Sequence, residues 1–62
     1  MKSIGAQIKQ IAGLLGTRDV TAWEQRFIED MVVKTNNGDL TVHLSPGQCE
    51  KIESIFEKHF AA

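Results

Sequence analysis

Branched aliphatic residues recur along the first segment at Ile4, Ile8, Ile11 and Leu15. That i, i+4, i+7, i+11 spacing puts four side chains on one stripe of an α-helix. Gln7, Lys9 and Gln10 fall on other faces, and Gly16 stands where a C-terminal stop belongs. The pattern predicts a helix over about residues 2–15. Gly5 and Gly13 lie inside it. Each either weakens the helix, by up to about 1 kcal/mol relative to alanine, or lets another backbone approach closely. A second stripe, Trp23, Phe27 and Met31 with Ile28 and Val32 beside it, predicts a helix over about 22–35. Thr21 and Glu24 form a capping box at its start, and Asn36-Asn37-Gly38-Asp39 supplies residues that tolerate the left-handed conformation of a helix stop. A third stripe, Cys49, Ile52, Phe56 and Phe60 with Ile55, predicts a helix over about 46–59. Ser45 caps it, Pro46 takes the favoured first position, Gln48 completes a second capping box, and Leu44 with Cys49 occupies the positions of a hydrophobic staple.

Between the second and third helices, Leu40-Thr41-Val42-His43-Leu44 alternates apolar and polar residues. The expectation is a short extended connector over 40–44, with its three apolar side chains against the helices. A strand paired with a second copy of the chain is the other reading of that alternation. Three amphipathic helices can enclose one core, with Trp23 and Phe27 as its bulkiest members. The fold class expected is therefore all-α, a compact three-helix bundle forming a single domain over residues 1–62.

The length, 62 residues, excludes the common large enzyme folds. With 42% hydrophobic and 24% charged residues the chain is too apolar for a disordered tail. Burial of apolar surface contributes about 90 kcal/mol. Ordering the chain costs about the same, so a partner subunit would help. Leftover apolar surface around Val33, Ile55 and Phe60 is the candidate for a homodimer. The single cysteine, Cys49, permits no intramolecular disulfide. Together with an N-terminus whose apolar residues are interrupted by Gln7, Lys9 and Gln10, this points to a cytoplasmic setting, without a signal peptide or a membrane span.

Net charge is −1, from seven basic and eight acidic residues. The basic residues before position 19 are Lys2, Lys9 and Arg18, with no acid among them, and all eight acids follow. The overall balance lacks a nucleic-acid footprint, so a basic helix 1 carrying Lys2, Lys9 and Arg18 is the alternative interface rather than the leading one. Helix 3 is itself net acidic, with Glu50, Glu53 and Glu57 against Lys51 and Lys58.

Catalytic constellations are weakly represented. Cys49 with His43 lacks a third orienting residue and lies on an apolar stripe, which reads as a structural cysteine. Cys49, His43 and His59 show no metal-ligand spacing. Acid pairs such as Glu29 and Asp30, or Glu50 and Glu53, read as solvated helix faces. No enzyme activity, metal or cofactor is expected. The candidate partner-binding surface is the acidic outer face of helices 2 and 3, formed by Glu24, Glu29, Asp30, Glu50, Glu53 and Glu57, with Trp23 as a candidate anchor.

The stretches Leu14 to Arg18, Asp19-Val-Thr-Ala-Trp-Glu24 and His43-Leu-Ser-Pro-Gly-Gln48 resemble small helical proteins and terminal segments encoded by bacteriophages and prophages. The resemblance spans residues 14–60 and is most specific at Trp23-Glu24 and Ser45-x-x-Gln48. It implies a helical fold and a phage context, where small proteins often act on larger machinery, and it brings no catalytic residues. The expected function is a non-enzymatic protein–protein interaction module, a phage-encoded inhibitor or modulator of a larger host complex in the host cytoplasm.

Overall fold

A computed structural model describes residues 3–60. Three helices follow in order, α1 (Ile4–Ala12), α2 (Ala22–Lys34) and α3 (Pro46–Phe60), and no strand occurs among the described residues. The chain is an all-α three-helix bundle, as the three stripes predict. Each start is fixed by a local cap. Ser3 Oγ accepts from Ala6 N at 3.2 Å. Thr21 Oγ1 accepts from Glu24 N at 3.1 Å while Glu24 Oε1 accepts from Thr21 N at 2.9 Å. Ser45 and Gln48 reciprocate in the same way at 3.2 and 2.9 Å. Each box satisfies two amide donors that a helix start otherwise leaves open.

The α-helical part of α1 ends at Ala12, three residues before the expected Leu15. The chain continues as tighter turns, in which Leu14 N donates to Ile11 O and Leu15 N to Ala12 O. Bonds of this i→i−3 type commonly close a helix end. Gly16, at φ +81°, then reverses the chain. At the end of α2, Asn36 N donates to Val33 O and Asn37 N to Val32 O, the paired bonds of a Schellman stop, with both asparagines and Gly38 at positive φ.

These stops build an up-down-up bundle. The end of α1 meets the start of α2 where Gly16 N donates to Gln25 Oε1. Gly5, at the start of α1, lies against Gly38 beyond the end of α2. A Cβ on Gly5 would stand 2.5 Å from the Gly38 carbonyl oxygen, and one on Gly38 would stand 2.6 Å from that of Gly5. Gly5 therefore serves close backbone approach. Gly13 does not, since its nearest neighbour would be Gln10 O of its own turn. The buried Thr35 hydroxyl ties this corner together, donating to Met31 O at 2.6 Å and accepting from Gly38 N at 2.9 Å.

The core is aliphatic: Ile8, Ile11, Leu14, Ile28, Met31, Ile52 and Ile55. Trp23 and Phe27 are not its bulkiest members. Trp23 is 55% exposed and Phe27 half-buried, because α2 turns the stripe Glu24, Ile28, Met31 and Thr35 inward. That stripe shares Ile28 and Met31 with the predicted one and is rotated from it by a fraction of a turn. In α3, Ile52 and Ile55 are buried, Cys49 and Phe56 are half-buried, and Phe60 is exposed. Burial of Ile55 removes it from the candidate self-association surface and leaves Val33 and Phe60 exposed there. The connector is not extended along its length. Leu44 N donates to Thr41 O, which folds 41–44 into a turn. Leu40 and Val42 consequently point to solvent, and only Leu44 packs on the core.

Candidate interaction surface

α1 packs closely on each of its neighbours, whereas α2 and α3 meet mainly through long side chains. Lys34 Nζ donates to Gln48 Oε1 at 3.2 Å, joining the end of α2 to the start of α3. Lys58 Nζ donates to Glu24 Oε2 at 3.2 Å, joining the opposite ends. On this side of α2, Trp23 and Phe27 stack with ring centroids 5.6 Å apart and an interplanar angle of 3°. Lys51 Nζ reaches from α3 to 5.3 Å from the Trp23 ring, within cation–π range. Arg26 and Asp30 complete the walls of a shallow open depression around the two rings. Charged side chains, Arg26, Asp30 and Lys51, thus surround a half-exposed aromatic pair.

The acidic outer face divides on inspection. Glu24 is buried and does not belong to it. Its carboxyl is held below the ordinary range chiefly by the Thr21 backbone N–H. Burial opposes this, and the hydrogen bond and charge of Lys58 and the Thr21 hydroxyl reinforce it. His59 Nε2 lies 3.8 Å from Glu24 Oε2, too far for a hydrogen bond. Asp30 belongs with Trp23 at the depression, while Glu29, Glu50, Glu53 and Glu57 are exposed and form no ion pair among the described residues.

A lowered folded pKa sets the sign of the pH dependence. The stability that Glu24 contributes is fully present above the unfolded carboxyl value, near pH 4.3. It is lost as pH falls through the lower folded value. Glu24→Gln should cost about 1–2 kcal/mol near neutral pH, the scale of a hydrogen bond to a charged group. The gap to the parent chain should close in acid. Urea unfolding at a series of pH values checks this, and a pH-independent gap would show that the charge is not what matters.

The alternative basic surface is thinner. Lys9 is exposed and pairs with Asp39 at 3.4 Å, Arg18 is exposed, and Lys2 lies outside the described residues. The depression beside Lys9 is a gap left by Ala6 and Gly13 on the outer side of α1. His43 is exposed on the connector and Cys49 half-buried on α3, and no group of three His, Cys, Asp or Glu side chains that could hold a metal occurs among the described residues. No helix among them is long and apolar enough to cross a membrane.

Sequence reading missed Lys34 and Lys51 as members of the surface. The available signal was spacing: Trp23, Phe27, Asp30 and Lys34 share one flank of α2, and Gln48, Lys51, Ile55 and Lys58 share one flank of α3. Which flanks face each other is a tertiary fact. No protein-family model, no curated protein and no solved structure matches the chain.

Proposed function

We propose that this protein is a non-enzymatic interaction module that docks on a larger protein through the Trp23–Phe27 face of α2. The observation that carries the reading is the half-exposed Trp23, stacked on Phe27 and outside an aliphatic core. Leaving so large a ring in water forgoes the stabilisation that burial would supply. The same exposure makes the ring available as an anchor in an interface. A phage or prophage origin, and action as an inhibitor or modulator of a host complex in the host cytoplasm, belong to the same proposal. They are supported by the resemblance at Trp23-Glu24 and Ser45-x-x-Gln48, residues that serve here as helix caps or stand next to one. Self-association would have Val33 and Phe60 to use, and a concentration-independent monomer mass by sedimentation would remove it.

Affinity capture from a bacterial lysate tests the docking face. A specific partner should be retained by the parent chain and by a Glu50→Lys/Glu53→Lys/Glu57→Lys variant, and lost with Trp23→Ala. Retention by Trp23→Ala with loss on charge reversal would return the interface to the acidic face of α3.

A further inference from the structure

Sorting the charged side chains by position shows a segregation that the net charge hides. After position 18 the chain has four basic residues, Arg26, Lys34, Lys51 and Lys58. Three of them cross between α2 and α3, to Gln48, to the Trp23 ring and to Glu24. Arg26 lines the depression beside Trp23. Only Lys58 is met by a carboxylate, so Arg26, Lys34 and Lys51 carry charge that no ion pair among the described residues neutralises. Asp30 is the one carboxylate lining the depression, against Arg26 in the same wall and Lys51 over the Trp23 ring, and Lys34 lies further along the seam at Gln48. The acids of α3 follow their own stripe, Glu50, Glu53 and Glu57 at i, i+3 and i+7, on a different flank from Lys51 and Lys58.

We infer that the seam between α2 and α3 takes an acidic segment of a partner protein, with an apolar or aromatic side chain on Trp23 and carboxylates toward Arg26, Lys34 and Lys51. This rests on the reading of the Trp23 face as a docking surface and adds the chemistry of what docks. Charge complementarity favours it: unpaired cations at an exposed apolar site attract carboxylates and repel basic segments, which sets specificity and encounter rate. The seam is short and flanked by the α3 glutamates. A short acidic peptide can satisfy the cations without meeting that stripe, whereas a long polyanion such as single-stranded nucleic acid would run its phosphates along it.

Selection of short random peptides on the immobilised full chain tests the inference. Parallel selections use Trp23→Ala and the triple variant Arg26→Gln/Lys34→Gln/Lys51→Gln, with helicity checked by circular dichroism; all four positions are exposed. An oligothymidylate is titrated separately, with Trp23 fluorescence as the reporter. The expected result is Trp23-dependent enrichment of peptides rich in Asp and Glu around an apolar anchor. An enriched peptide should bind the triple variant about tenfold more weakly or worse. Enrichment of neutral or basic peptides that still requires Trp23 would overturn the acidic chemistry and leave the docking face standing. Absence of any Trp23-dependent enrichment would overturn both. Oligothymidylate binding tighter than any peptide, and falling steeply with salt, would replace the acidic segment by a nucleic acid.

Discussion

Gly5→Ala should destabilise the protein by about 2 kcal/mol, although alanine is the better helix former by about 1 kcal/mol. The reason is the backbone contact between the start of α1 and the stop of α2. A methyl group on Gly5 would meet the Gly38 carbonyl oxygen at 2.5 Å, and backbone can yield only if the whole corner shifts. That corner is held by the Thr35 hydroxyl, by Leu40 N donating to Thr35 O, and by the Schellman bonds of Asn36 and Asn37. Gly38→Ala should cost more, about 3 kcal/mol, because the reciprocal clash with Gly5 O adds to a φ of +94° that an L side chain rarely adopts. A small domain has about 0.05–0.15 kcal/mol of stability per residue, so either change removes a large share of it. Midpoints of thermal unfolding should fall by about 10 °C and about 15 °C. Gly13→Ala is the control, with an effect within about 1 kcal/mol. Equal, stabilising effects of alanine at Gly5 and Gly13 would show that the two backbones do not meet.

Truncating Ile28 to alanine should cost about 2–5 kcal/mol, whereas truncating Trp23 should cost only about 1 kcal/mol. Ile28 is fully buried within the aliphatic cluster, and a close-packed core can only partly collapse into the space left. Trp23 is the larger side chain, but at 55% exposure it contributes its stack on Phe27 and its contact with Lys51 rather than core volume. Urea unfolding of the two variants decides the order. A larger loss at Trp23 than at Ile28 would return the tryptophan to a structural role and take away the observation on which the docking face rests.

The contrast between those two residues also marks where sequence reading stopped. Local devices were legible. Both capping boxes, the proline at the start of α3 and the Asn-Asn-Gly stop each act within a few residues, and each stands where the spacing put it, whereas α1 is capped at Gly13 and Gly16 only turns the chain further on. The inward face of α2 was misread because two stripes fit the same helix. Hydrophobicity favours Trp23, Phe27 and Met31, with Ile28 and Val32 beside them; the fold keeps Ile28 and Met31 and adds Glu24 and Thr35. Burying Glu24 is tolerable only because Thr21 N and Lys58, 34 positions further along, satisfy its carboxylate. Gly5 could not be interpreted without Gly38, and the alternation of 40–44 gave no sign of the turn that exposes Leu40 and Val42. For Glu24 and Gly5 the deciding partner is distant in sequence, whereas the 41–44 turn closes locally through Leu44 N and Thr41 O. The candidate surface shows the same limit: Trp23 and Asp30 could be named from the chain, but the placing of Lys51 over the Trp23 ring and of Lys34 at Gln48 depends on how α2 and α3 are juxtaposed.

In the proposed reading the interior serves the fold and the α2–α3 seam serves a partner. The most direct measurement is the footprint of a captured partner on the isotopically labelled chain, read from amide chemical-shift changes and protection from hydrogen exchange. The changes should centre on Trp23, Arg26, Asp30, Lys34 and Lys51, and leave Ile8, Ile28 and Ile52 in their unbound environment. Changes confined to Leu40–His43, or to α1 around Lys9 and Arg18, would contradict it.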